Sequence, residues 1–201
     1  MYKNFIFDMG NVLMDFSPDY ILSRYTQNPE EIEILKYAIF GNEIWKLLDN
    51  GDVSFEAASI DVVGSLPDSL HEVAKDVMST WQTHKVERMD MLEIVKKLKT
   101  RGYGIYLCSN AASLFHTYKD KYEVFHYFDD LTISADIGIS KPDLGIYRYV
   151  LEKNNLDPSS CLFIDDLNEN IKAAKQCGIS GYQYNGNCDL FEAFLVVLEI
   201  I

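Results

Sequence analysis

Three aspartates stand at the ends of short apolar runs. Asn4-Phe5-Ile6-Phe7 stops at Asp8, and Cys161-Leu162-Phe163-Ile164 stops at the pair Asp165-Asp166. A continuous apolar run of this length reads as a strand buried on both faces of a parallel sheet, where an acid is tolerated only at the strand's end. The carboxyl end is also where open α/β sheets bind their ligands. Acids gathered there repel one another unless a cation lies between them, so the pattern calls for a divalent metal. A carboxylate donor set suits a hard, partly hydrated cation, which favours magnesium, Mg2+, over zinc.

Two more polar clusters follow apolar stretches: Ser109-Asn110 after Leu107-Cys108, and Ser140-Lys141-Pro142-Asp143. The elements that must position all of these can be read from periodicity. From Met91 an apolar stripe of Met91, Ile94, Val95 and Leu98 predicts a helix closed by Gly102, followed by a strand over Tyr103 to Cys108. A helical stretch from Ala111, a strand around Leu131 to Ser134, a helix with Pro142 in its first turn and the strand Cys161 to Ile164 come next. A helix ending at Cys177-Gly178, a strand near Tyr182 and a terminal helix complete the series. Such alternation predicts an α/β fold, a Rossmann-like parallel sheet core with helices on both faces. Between Asp8 and this region the pattern is helical throughout, broken at Asn28-Pro29, Gly41-Asn42, Asn50-Gly51 and Leu66-Pro67-Asp68. Residues 16–86 are therefore expected to form an inserted α-helical cap, with 1–15 and 87–201 making the core.

Composition narrows the classes of partner. The chain has 201 residues and a formal net charge of −13. No basic patch is available to displace counterions from a phosphate backbone, so nucleic acid is not an expected partner. Cys108, Cys161, Cys177 and Cys188 lack CxxC spacing and read as small hydrophobes in a reducing compartment. No leader is expected before the first strand, and the apolar stretch Ala193 to Ile201 is too short to span a bilayer. A cytoplasmic protein with no membrane partner is expected.

Taken jointly and in order, Phe7-Asp8-Met9-Gly10-Asn11-Val12, Ser109-Asn110, Lys141-Pro142 and Asp165-Asp166 resemble the motifs of the haloacid dehalogenase-like superfamily. The resemblance covers the whole chain and is to members with a helical cap after the first motif, particularly sugar-phosphate phosphatases with an Asp-x-Gly-Asn first motif. It implies a magnesium-dependent phosphatase. Asp8 would be the nucleophile, forming an aspartyl-phosphate; Ser109 and Asn110 would hold the phosphoryl oxygens, Lys141 would neutralise charge, and Asp166 with Asp165 would organise the metal. The Gly10 carbonyl would be a further metal ligand. A helix start after Ser109 would supply backbone N–H groups for the anion.

Gly10 is also where the chain departs from that pattern, since most family phosphatases have a second aspartate there to protonate the leaving alcohol. General acid catalysis contributes about 100-fold to 10,000-fold, so its source matters most for poor leaving groups. Asp15, in the expected flap, is one candidate substitute. Asn170 reads as a helix-start residue that could bond a metal-bound acid. Trp45 and Asp49 lie where the cap would face the site. The expected substrate is a small phosphorylated metabolite, a sugar phosphate first among these. Two rival readings are a 2-haloacid dehalogenase-type hydrolase, which needs no leaving-group proton, and a catalytically silent phosphate-binding relative. A response-regulator receiver domain has the same residue types in the wrong order.

Overall fold

A computed structural model describes residues 1–201. The strands are β1 (Asn4–Phe7), β2 (Met14–Asp15), β3 (Val86–Glu87), β4 (Gly104–Ser109), β5 (Asp130–Ile133), β6 (Cys161–Asp165) and β7 (Ser180–Gln183). β1, β4, β5, β6 and β7 form one parallel sheet in the order β5-β4-β1-β6-β7. Side chains alternate between its faces. Phe5 and Phe7 enter one hydrophobic cluster with Ile105, Leu107, Leu162 and Ile164, whereas Ile6, Cys108, Cys161 and Phe163 enter another. Both faces are covered, which is why these strands are written as unbroken apolar runs.

The helices are α1 (Pro18–Leu22), α2 (Pro29–Phe40), α3 (Glu43–Asn50), α4 (Phe55–Gly64), α5 (His71–Thr80), α6 (Met89–Thr100), α7 (Phe115–Tyr118), α8 (Ser134–Ile137), α9 (Leu144–Lys153), α10 (Asn168–Gln176) and α11 (Cys188–Val197). α6 and α11 cover the Phe5 and Phe7 face through Met91, Val95, Phe191 and Leu195. α9 and α10 cover the other through Ile146, Tyr147, Val150, Ile171 and Ala174. The chain thus adopts the Rossmann-like α/β arrangement expected of it, with α11 packed on the core by Phe191 and Leu195. No helix is long and apolar enough to cross a membrane.

Helices α1 to α5 pack around a third cluster of their own, which includes Ile21, Leu35, Ile39, Val62, Ala74, Val77 and Trp81. Their starts are sharply specified, because the side chains of Ser17, Asn28, Asn42 and Ser54 each accept a backbone N–H of the first turn. Each such cap stabilises its helix by about 1 kcal/mol. The chain enters and leaves this insertion through a two-stranded antiparallel ribbon, β2 with β3, in which Met14 faces Glu87 and Asp15 faces Val86. At the far end, Gly51 follows α3 with a φ of 78° and presses on Ala135, whose carbonyl oxygen would lie 2.5 Å from a Cβ. Only glycine fits that left-handed close approach. Ser134 donates its hydroxyl to the Asp49 carbonyl, and Ser140 donates to the Asn50 side chain at 3.0 Å. The tip of α3 is fastened to the core at that point.

Two local expectations are corrected. Pro142 does not lie in the first turn of a helix: α9 begins at Leu144, because the Asp143 side chain accepts the Gly145 N–H at 2.7 Å and is the better cap. No regular helix starts directly after Ser109 either. Residues 110–114 precede the single turn α7, and short 3-10 turns follow it.

Candidate active site

β1 is central, and the chain crosses from its β4 side to its β6 side, so the carboxyl ends of β1 and β6 flank a topological switch point. Asp8 leaves β1 there and Asp165 ends β6. Lys141 lies between them, its Nζ 2.7 Å from Asp8 Oδ1 and 2.7 Å from Asp165 Oδ2. The lysine side chain is 2% exposed, that of Asp165 0% and that of Asp8 12%. Asp165 is saturated. Its oxygens also accept the Leu167 N–H at 2.8 Å and the Asn170 amide at 3.0 Å to each oxygen. A carboxylate offers about four acceptor positions, and all are taken. Asp165 is thereby built to hold Lys141, and Asn170 to hold Asp165.

Asp166 projects from the same corner and accepts the Asn11 side-chain amide at 3.1 Å. Asn11 adopts a φ of 55°, which asparagine tolerates better than most residues, and its own side-chain oxygen accepts the Phe16 N–H. Carboxylate oxygens of Asp8, Asp165 and Asp166 lie within 4.8 Å of one another. This donor set fits a hard divalent cation. Asp8 and Asp166 have free lone pairs for it, with the Gly10 carbonyl beside Asp8 in the chain.

Ser109 is buried at the end of β4, and its hydroxyl has only a long contact, 3.4 Å, to the Asn110 carbonyl. It is free to meet a ligand. The Asn110 side chain is not: its oxygen accepts the Lys141 N–H at 2.7 Å and its amide donates to the Lys141 carbonyl at 2.8 Å, which leaves the backbone N–H of Asn110 to face a ligand. This side chain clamps the backbone of the lysine. The Ala111 N–H is likewise spent on the Ser134 hydroxyl at 3.0 Å.

Above this floor lies a cavity of about 180 Å³, lined by Asp8, Gly10, Ser109 and Lys141 below and by Phe16, Trp45, Asp49, Trp81, Lys85 and Tyr118 above. The aromatic wall is self-supporting, with Phe16 stacked on Trp45 at 6.1 Å and Trp45 edge-on to Trp81 at 5.1 Å. Lys85 had no sequence signal. It stands over the Trp81 ring at 5.1 Å and donates to the Tyr118 hydroxyl at 3.0 Å. Asp15 is elsewhere, on the ribbon, largely exposed and 3.6 Å from Arg88.

Burial pushes the Asp8 carboxyl up to about 6, the Lys141 charge opposing and the Asp165 charge adding to the rise. Burial pulls on Lys141 in the opposite sense, yet the charges of Asp8 and Asp165 prevail and keep it firmly protonated. Asp49 is pushed up to about 7 by burial, against the pull of Lys85, and Lys85 is lowered to about 8 by burial, against the pull of Asp49 and Asp8. A pH dependence of stability follows. The folded chain keeps protons on Asp8 and Asp49 that the unfolded chain releases near pH 4, so stability falls as pH rises through the folded values. In chelator, the melting temperature should be lower at pH 7.5 than at pH 5.5, and Asp49→Asn should flatten the upper part of that decline. A rise across the same interval would contradict it.

A parallel α/β sheet with carboxylates and a buried lysine at its central strand ends is the chain's defining combination. The chain belongs to the haloacid dehalogenase-like hydrolases, whose family model matches residues 2–178. It is 28% identical to the sesquiterpene phosphatase astK of Aspergillus oryzae, over 90% of this chain and 88% of that protein. It is 24% identical to the D-ribitol-5-phosphate phosphatase of Bacteroides thetaiotaomicron, over 99% of this chain and 100% of that one. In fold it is similar to the HAD family enzyme bt-2542 of Bacteroides thetaiotaomicron, crystallised in complex with magnesium and inorganic phosphate. That likeness has a TM-score of 0.71 at 23% identity, over 93% of this chain and 96% of the other.

Proposed function

We propose that the protein is a magnesium-dependent phosphomonoesterase that acts on a small phosphorylated metabolite, a sugar phosphate by preference, through a phosphorylated Asp8. The observation that carries this reading is the buried Lys141, 2.7 Å from Asp8, on the floor of the cavity beside the free Ser109 hydroxyl. A dianionic ester needs compensating positive charge before a carboxylate can attack it, and this arrangement supplies some from the protein itself. The phosphatase names of both relatives support the same reading.

In this reading Asp8 attacks phosphorus, Lys141 sets its charge beside the phosphoryl oxygens, and Ser109 donates its hydroxyl to one of them. Splitting the displacement through a covalent aspartyl-phosphate replaces one hard step by two easier ones. Asp8, Asp166 and the Gly10 carbonyl would hold magnesium, with Asp165 acting through Lys141 instead of as a ligand. Magnesium bound there would cancel much of the repulsion between carboxylate and phosphate. Residues 16–86 serve as a cap over the core formed by 1–15 and 87–201, excluding bulk water and large substrates. The cavity, about 180 Å³, is little larger than the ~150 Å³ that encloses a benzene ring. Its aromatic faces, with Lys85, the Tyr118 hydroxyl and the unpartnered Trp81 indole N–H, suit a compact sugar.

Purified protein should release phosphate from 4-nitrophenyl phosphate and from members of a sugar-phosphate panel with Mg2+ present. EDTA should lower the rate by about 100-fold or more, consistent with a metal supplying several kcal/mol to the transition state, and added Mg2+ should restore it. Turnover that survives metal removal, or halide release from 2-haloacids in chelator, would overturn the proposal.

A further inference from the structure

Nothing replaces the missing acid at Gly10 from its own side of the cavity. A Cβ on Gly10 would meet no atom within 4 Å, and Asp15 is turned toward Arg88. Among the residues lining the cavity, Asp49 is the one carboxyl besides Asp8. We propose that Asp49, carried by the helical insertion, protonates the leaving alcohol and then takes a proton from the water that releases phosphate. This role rests on the phosphatase reading above.

The position of Asp49 is built, not incidental. It lies in the last turn of α3, where its carbonyl accepts the Ser134 hydroxyl and Gly51 packs against Ala135. The same Ser134 oxygen accepts the Ala111 N–H, two residues beyond Ser109. One side chain thus ties the backbone of Asp49 to the loop that carries the Ser109 hydroxyl. The charged groups that face the Asp49 carboxyl are Lys85, from the segment before β3, and Asp8, from the end of β1, with the Ala112 N–H and the Trp45 indole also directed to it. Tyr118 of α7 lies within reach of its charge. Burial raises Asp49 to about 7, so near neutral pH it holds a proton it can give and can take one back.

The steps balance. In the first, the Asp8 oxygen bonds to phosphorus, the bond from phosphorus to the ester oxygen breaks, and the Asp49 proton passes to that oxygen, leaving as the alcohol. In the second, water bonds to phosphorus while its proton returns to Asp49, the Asp8–phosphorus bond breaks, and inorganic phosphate departs.

The test compares kcat/KM, which reports the first step, for 4-nitrophenyl phosphate, whose leaving group needs no proton, and for an alkyl phosphate, whose leaving group does. Asp49→Asn should cost about 100-fold or more on the alkyl ester and only a few-fold on the nitrophenyl ester. Adding Gly10→Asp to Asp49→Asn should recover turnover of the alkyl ester, since the space at Gly10 is open. In the wild-type protein alone, kcat/KM for the alkyl ester should fall above pH 7 relative to that for the nitrophenyl ester. Equal losses on both esters, or parallel pH profiles, would overturn the role of Asp49 and leave the phosphatase reading intact. Absence of Mg2+-dependent turnover on either ester by the wild-type protein would overturn both.

Discussion

Asp8→Asn should abolish phosphate release, by at least about 1,000-fold, without lowering the melting temperature. The amide preserves the shape of the side chain and, on the proposed mechanism, removes the attacking oxygen, so that no covalent intermediate could form. Stability should hold because the folded state carries strain at this carboxylate rather than gaining from it. Burial raises its pKa to about 6, which means that ionised Asp8 is disfavoured in the fold even with Lys141 beside it. An uncharged asparagine removes that cost. Asp165 keeps Lys141 at 2.7 Å and retains its own partners, so the lysine is not stranded. The substitution also removes one of the two carboxylates of the proposed metal site, so stabilisation by Mg2+ should shrink in the variant, since a ligand stabilises only by what it binds. Phosphate release, with melting curves at several Mg2+ concentrations, measures all of this. Retention of a tenth of wild-type turnover would remove Asp8 from the nucleophile's place.

What could be read from the sequence was whatever the chain writes locally. Asp8 and the pair Asp165-Asp166 are legible because a buried strand must be apolar until its end, and the first acid after such a run marks the sheet's carboxyl edge. The insertion is legible because its pattern is helical throughout and its breaks at Asn28-Pro29 and Gly41-Asn42 fall where α2 and α3 begin, each capped by an asparagine from its own neighbourhood in sequence. Partnerships across the fold leave no such trace. Nothing beside Asn110 in the sequence shows that its side chain bonds to the Lys141 backbone thirty-one positions away. Ser134 joins Asp49 to Ala111, and Lys85 reaches the cavity from a short segment with no periodicity of its own. The ribbon of β2 and β3 is two residues per strand, too short for any alternation to show. The helix start at Leu144 turned on a competition between Pro142 and Asp143 that propensity alone does not decide. Of the upper half of the cavity only Trp45 and Asp49 were expected to face the site; Lys85 and Tyr118 join them only after the insertion folds back onto the core.

Lys141→Met should damage activity and stability together, and the two losses can be separated. Methionine keeps much of the lysine stem and removes the one positive charge within hydrogen-bond reach of both Asp8 and Asp165. If Lys141 sets its charge beside the phosphoryl group as proposed, turnover should slow by about 100-fold to 1,000-fold. Stability should fall as well, because breaking a buried ion pair by deleting one partner costs about 3–5 kcal/mol. The deficit should be larger at pH 7.5 than at pH 5.5: without Lys141 nothing opposes the burial and the Asp165 charge that raise Asp8 in the folded chain, so Asp8 climbs further above its unfolded value, and rising pH then removes stability. Chemical denaturation in chelator at the two pH values reads this directly. Adding Asp165→Asn should return much of the stability, since it leaves Asp8 without a charged neighbour, but none of the rate. Recovery of rate in the double variant would mean that Lys141 acts only by balancing Asp165, whereas loss of rate with restored stability places its charge on the reacting phosphate. Lys141→Arg should not rescue, because a planar guanidinium is wider than an ammonium that already lies 2.7 Å from each of two carboxylates in a buried position.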